Sequence, residues 1–226
     1  MEILIVTSAY TTVEHHTDGL AQVQWIADTL QNAPGLISSR FYRNRENSSS
    51  YLMFTTWEDE ESWQKAQERY NPKTLLQNSA TRLLAEPPEQ WRMHYLWGYD
   101  RPAVTPTVVA VHLTTVPPHQ AEPSQQKWMN ELRKQDLKWS LGLAFLARGK
   151  RDEASASKER PPFAPPIMEN HVQPVDPVGS VFLNFFSWGS EAACRRFYAS
   201  PAYKELDIFM RSINTVQHVL FLESMR

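Results

Sequence analysis

The chain has 226 residues, 42% hydrophobic and 21% charged, the balance of an ordinary globular protein with one large or two small domains. A net charge of −2 excludes bulk electrostatic attraction to a polyanion such as a nucleic acid. The single cysteine, Cys194, excludes an internal disulfide and any multi-cysteine metal site.

The N-terminal run Ile3-Leu4-Ile5-Val6 is short and β-branched, without the basic start and long apolar core of a signal peptide. No run of about 18 apolar residues is present to span a bilayer. With one thiol and no leader, a cytoplasmic setting is expected, with no membrane partner.

Residues 2–10 read as a strand. Leu20, Val23, Trp25, Ile26 and Leu30 follow at roughly helical spacing, stopped by Asn32-Ala33-Pro34-Gly35. Strands are expected over 36–43 and 51–57, separated by the polar turn 44–50. Glu58-Asp59-Glu60-Glu61 opens a helical stretch that reaches about Ala85, broken near Asn71-Pro72. A fourth strand covers 91–98, and 99–106 reads as a linker.

The order β-α-β-β-α-β then begins again. Strands are expected over 107–115, 138–148, 181–188 and 215–222. A helix over 124–134 is expected with Ser124 as its cap, and a second helical stretch over 191–211 breaks at Ser200-Pro201. The copies are aligned by pairing Trp25 with Trp128, Trp57 with Trp188 and His94 with His218. That pairing sets His112 against Ala9 and Asn184 against Met53. It also places an insertion at 149–179, rich in charge and proline, as a lid or a solvated loop.

Both faces of the third strand of each copy are apolar: Tyr51, Met53 and Trp57 against Leu52 and Phe54, and Phe182, Phe186 and Trp188 against Val181, Leu183 and Phe185. One face can lie under helices; the other needs a second sheet. The expected fold is therefore α+β, two tandem ferredoxin-like βαββαβ units over 1–98 and 107–226. Their antiparallel sheets pack face to face as an α+β barrel completed within one chain, with further homodimerisation allowed.

Pro34-Gly35-Leu36 and the run Tyr51-Leu52-Met53-Phe54-Thr55-Thr56-Trp57-Glu58-Asp59-Glu60-Glu61 resemble the antibiotic-biosynthesis monooxygenase domain. Phe185-Phe186-Ser187-Trp188-Gly189-Ser190-Glu191 and Ser200-Pro201-Ala202-Tyr203 look like the same pattern again. The resemblance implies a monooxygenase-like protein with a pocket between sheet and helices of one unit, oxidising a small phenol- or quinol-type aromatic without a cofactor. The haem-degrading pattern of the family does not carry over: its Trp position falls on Ala66 and Phe197, its His position near Asp207, and its first-strand Asn position offers Ser8.

Within that reading His112, an ionisable group in an apolar strand, and Asn184, a polar residue among aromatics, are the candidate catalytic residues. Trp128, Trp188, Tyr198 and Tyr203 are the candidate ligand-binding wall. Each has a plainer reading as hydrogen-bonded or packed core. The second unit is the better candidate for a working site. No metal-ligand motif, phosphate loop or nucleophile elbow is present in the sequence, so the alternative is a non-catalytic small-molecule-binding or structural barrel protein.

Overall fold

The computed structural model describes residues 1–12, 16–101, 103–133, 141–151, 180–212 and 216–225. The strands are β1 (Ile3–Tyr10), β2 (Leu36–Asn44), β3 (Ser50–Trp57), β4 (Glu89–Asp100), β5 (Val108–Val116), β6 (Leu143–Arg151), β7 (Ser180–Trp188) and β8 (Val216–Met225). The helices are α1 (His16–Leu30), α2 (Glu60–Tyr70), α3 (Pro72–Ala80), α4 (Ala121–Arg133), α5 (Glu191–Ala199) and α6 (Pro201–Ser212). The strands hydrogen-bond in the closed order β1-β3-β2-β8-β5-β7-β6-β4. Cut into β4-β1-β3-β2 and β8-β5-β7-β6, this is the ferredoxin-like order twice. Among the described residues, no helix is long and apolar enough to cross a membrane.

The chain divides into two compact units. The first holds Met1–Tyr95, with Arg151 at the end of β6 and the Leu222–Met225 end of β8; the second holds Leu96–Lys150 and the described part of 180–221.

In the first unit β1 pairs antiparallel with β3, Ile3 opposite Trp57, and with β4, Ile3 opposite His94. Ile3, Ile5 and Trp57 pack on Trp63 and Ala66 of α2, and Ala9, Tyr51 and Met53 on Val23, Ile26 and Leu30 of α1. Helices therefore cover the face carrying the odd-numbered residues of β1. Asp59 caps α2 by accepting from the Ser62 amide at 2.8 Å, and Asn71 ends α2 and caps α3 by accepting from the Lys73 amide at 3.0 Å.

The second unit repeats the scheme. β5 pairs with β7, Val108 opposite Trp188, and β7 with β6. Ser190 caps α5, accepting from the Ala193 amide at 3.2 Å, and Ser200 separates α5 from α6.

Register corrects the alignment of the copies. Trp57 and Trp188 are equivalent, an offset of 131 (188 − 57). The first strands align through Ile3 and Val108, an offset of 105 (108 − 3), because each faces that tryptophan. His112 therefore corresponds to Thr7, and Ala9 to Thr114; Asn184 corresponds to Met53. In the first helices the buried positions Gly19, Ile26 and Leu30 match Ala121, Trp128 and Leu132, an offset of 102 (128 − 26). Trp25 is 47% exposed while Trp128 is fully buried, so the two are not equivalent.

His94 stands opposite Ile3 on the helix-covered face and is exposed. His218 follows Gln217, which reaches His112 on the helix-covered face, so His218 points to the other side of its strand. The last strands align instead through Gln90 and Gln217, an offset of 127 (217 − 90).

Three boundaries also move. Ser124 is no cap: α4 starts at Ala121, one turn earlier, after the 3-10 turn Pro118–Gln120, because Pro123 is tolerated in a helix's first turn. β4 continues to Asp100, into the expected linker, and β6 to Arg151, into the expected insertion. Residues 152–179 of that insertion and 138–140 of the expected sixth strand lie outside the described residues.

Pro34-Gly35 makes a tight turn. Gly35 has φ +79°, its carbonyl accepts from the Glu58 amide at 3.0 Å, and a Cβ there would meet Ser62 Cβ at 2.6 Å. Gly35→Ala is expected to cost about 2 kcal/mol or more, read as a lowered denaturant midpoint with unchanged slope.

Candidate functional site

The helix-covered face of the second sheet carries Val108, Ala110, His112, Thr114 and Val116 from β5, Phe182, Asn184, Phe186 and Trp188 from β7, and Ala144 and Leu146 from β6. α4 adds Trp128, α5 adds Phe197 and Tyr198, and α6 adds Tyr203, Leu206 and Met210. Alternation in the strands puts every second residue here, and the 3.6-residue period of the helices does the rest.

His112 is at the centre and has no exposed surface. The Gln217 amide nitrogen donates to its Nδ1 at 2.9 Å, which leaves the ring proton on Nε2, 2.7 Å from the Tyr198 hydroxyl oxygen. Tyr198 stacks nearly parallel to the imidazole, with centroids 5.7 Å apart and planes at 3°. Phe186 and Tyr203 meet it edge-on at 5.3 and 6.0 Å. Trp188 packs on Tyr198 at 5.7 Å and on Phe197 at 5.2 Å.

Burial sets the protonation states. It pulls the His112 pKa down to about 3, so the imidazole is neutral at neutral pH. It raises the Tyr198 pKa strongly and pushes Tyr203 up to about 12, the latter helped by the Asp207 charge and opposed by Arg211 and Gln217. All three are uncharged hydrogen-bonding groups there.

Asn184 sits directly across the β5–β7 ladder from His112, with Leu146 on its other side. It has no exposed surface, and neither its Oδ1 nor its Nδ2 has a hydrogen-bond partner. The same holds for Thr114 Oγ1, Ser124 Oγ, Trp128 Nε1 and Trp188 Nε1. A buried polar group left unpaired costs roughly 1–3 kcal/mol, so such groups in one layer call for a ligand or ordered water.

The first unit differs at the same positions. Thr7, the equivalent of His112, accepts from Gln90 at 2.9 Å, and the same Gln90 nitrogen donates to Asn71 at 2.9 Å. Trp57 Nε1 donates to Thr55 at 3.0 Å, whereas the second unit has Phe186 at the position of Thr55, beside Trp188 on the same face. Met53 and Ala9 replace Asn184 and Thr114. At these positions the first unit pairs Thr7 and the Trp57 indole N–H with neighbouring side chains, and the second leaves Asn184 and the Trp188 indole N–H without partners.

The structure thus brings His112, Tyr198, Tyr203 and Trp188 into one aromatic cluster, with Asn184 and Trp128 on the same covered face. Gln217 and Thr114 are not singled out by the sequence, and Ser124 is expected there only as a helix cap. Thr114 was legible as the next inward residue after His112 in an apolar alternation, and Gln217 as the counterpart of Gln90. Among the described residues, no three His, Cys, Asp or Glu side chains gather as a metal site.

Two β-α-β-β-α-β units in a closed antiparallel order, each with helices over one sheet face, define the α+β barrel class. Residues 3–70 match the family model described as antibiotic biosynthesis monooxygenase. Three solved structures are similar over both units. A protein assigned as a monooxygenase from Fusobacterium nucleatum subsp. nucleatum superposes with TM-score 0.70 at 9% identity, covering 100% of this chain and 93% of that one. An anthrone oxidase-like protein gives TM-score 0.70 at 12% identity, covering 100% and 92%. A further protein assigned as a monooxygenase, from Lactobacillus acidophilus, gives 0.64 at 8%, covering 99% and 93%. At these identities the likeness is one of fold. No curated protein matches the chain.

Proposed function

We propose that the second unit is a monooxygenase site that oxidises a small phenol- or anthrone-type aromatic without a bound cofactor. The observation that carries this reading is Asn184: a fully buried amide with both polar atoms unpaired, across from the His112–Tyr198 pair, on a face walled by Phe182, Phe186 and Trp188. Flat apolar walls with a few fixed polar groups suit a flat aromatic bearing an oxygen substituent.

The protonation states limit the chemistry. With a pKa of about 3, His112 is too weak a base to drive proton abstraction near neutral pH. The substrate must therefore ionise through its own enol or phenol acidity. The Asn184 amide stabilises the resulting oxyanion. His112 donates to Tyr198, whose own O–H proton is then directed to another acceptor. For an anthrone-type CH2 group, the carbanion passes an electron to O2, the radicals join as a peroxide, and the peroxide loses water. One oxygen atom ends in the new carbonyl; the other leaves as water with the two hydrogens of the oxidised carbon.

Oxygen uptake with anthrones and hydroquinones tests the reading. Turnover above buffer is expected, lost in Asn184→Leu and reduced about tenfold or more in Tyr198→Phe. Folded protein without turnover on any of the panel sinks it and favours a non-catalytic binding protein.

A further inference from the structure

Gln217 comes from the last strand, β8, and its amide nitrogen lies 2.9 Å from His112 Nδ1. The same side chain hydrogen-bonds the Tyr203 hydroxyl and lowers its pKa, the direction that a donor to the phenol oxygen gives. An amide nitrogen carries two hydrogens and the amide oxygen carries none. Two acceptors served by one nitrogen fix which way the amide points.

The first unit has the same fork with plainer acceptors. The Gln90 nitrogen donates to Thr7 and to Asn71, each at 2.9 Å, and so ties β1 to the junction of α2 and α3. Gln217 ties β5 to Tyr203, just past the junction of α5 and α6 at Ser200. The difference lies in the acceptor on the first strand. Thr7 has one oxygen. His112 has two ring nitrogens and, when neutral, one ring proton to place between them. A donor at Nδ1 sends that proton to Nε2, which faces the Tyr198 hydroxyl oxygen at 2.7 Å. Among the described residues the Tyr198 hydroxyl has no second hydrogen-bond partner, so its own proton is available to a ligand.

We infer that Gln217 is a positioning residue: it holds His112 as the Nε2–H tautomer and thereby makes Tyr198 a donor to the oxygen of the bound aromatic. The inference rests on the functional reading given above and deepens it to the form of substrate taken. A chain that ends in a donor holds the ionised, oxyanion form in preference to the neutral phenol or enol. The reversed chain, with the proton on Nδ1, would turn the Tyr198 O–H back onto Nε2 and offer the ligand lone pairs only.

The test begins with protein labelled with 15N in its histidine rings, the His112 signals being those missing from His112→Gln. The bare and the protonated nitrogen of a neutral imidazole resonate far apart, so the spectrum reads the tautomer directly. Wild-type protein is expected to show a bare Nδ1 and a protonated Nε2. Gln217→Glu places an acceptor at Nδ1, and Nδ1 should gain a proton. Oxygen uptake is then compared on the same proteins. Gln217→Glu is expected to lose about tenfold or more in kcat, as Tyr198→Phe does, and the double variant should be no slower than Tyr198→Phe alone. Gln217→Met keeps the length of the side chain without a donor or a charge, and repeats the cycle if the buried carboxylate unfolds the chain.

A wild-type His112 ring with its proton on Nδ1 overturns the inference whatever the activity. So do losses that multiply in the double variants, because Gln217 would then act on packing and not through Tyr198. Folded wild-type protein that oxidises none of the substrates, with the proton on Nε2, overturns the functional reading instead and takes the role of Tyr198 with it.

Discussion

Replacing Asn184 with leucine is expected to leave the unliganded protein more stable than wild type and inactive. Removing a buried amide that lacks partners removes its desolvation cost, roughly 1–3 kcal/mol, and leucine fills a similar volume. Thermal unfolding should rise by several degrees for a chain of this size, while oxygen uptake falls to the buffer level. The opposite substitution at the equivalent place, Met53→Asn in the first unit, should destabilise by a similar amount, because it buries an amide among Ala9, Tyr51 and Leu76. An Asn184→Leu protein that unfolds at a lower temperature would mean that ordered water already satisfies the amide. Stability gained with activity lost is the signature of a group kept for its ligand.

The second large effect belongs to His112 and is a pH effect. Its pKa is about 3 in the folded chain against 6.5 for the free side chain. Between those values the unfolded chain binds more protons, so stability rises with pH across the window and is lost as pH falls from 6.5 toward 3. One such group contributes up to about 1.4 kcal/mol per pH unit. The stability difference between wild type and His112→Gln should therefore shrink by that slope below pH 6.5 and stay flat above pH 7. Chemical denaturation at pH 7.5, 6 and 4.5 measures it. Taking the difference cancels the carboxylates and His218, whose pKa burial also lowers. A difference that is constant with pH would show that His112 is solvated or charged in the folded state.

The elements were legible in the sequence because their signals are local. Gly35 before β2, the acidic residues after Trp57 and the prolines at 72 and 201 each fix a boundary by backbone chemistry alone. The repeat was legible too, but its register was not. Pairing Trp25 with Trp128 matched residue types and ignored faces: one indole is half in solvent, the other wholly buried. Pairing His94 with His218 failed for the same reason, since a shift of three residues in a strand exchanges its sides.

Position by face would have aligned Gln90 with Gln217 and Thr7 with His112. It would then have shown that each unit carries a glutamine-to-first-strand hydrogen bond. His112, Tyr198 and Tyr203 could be guessed as odd polar residues in apolar surroundings. That Asn184, Thr114 and Ser124 lack partners could not, because the presence or absence of a hydrogen bond is a property of three-dimensional packing.

The contrast between the two units has a consequence for how such a protein can change. In an assembly of identical subunits every substitution is made twice, and symmetry forces the same patch onto both copies. A residue that serves a reaction at a cost to folding is then multiplied along with its cost. Two copies written separately in one chain escape that coupling. One can settle into an arrangement such as Thr7, Gln90 and Asn71, in which the buried glutamine nitrogen donates to both neighbours. The other can keep groups such as Asn184 that its own fold leaves unpaired, at half the destabilisation. Directed evolution should accordingly find its gains in residues 107–226 and its tolerance limits in residues 1–95.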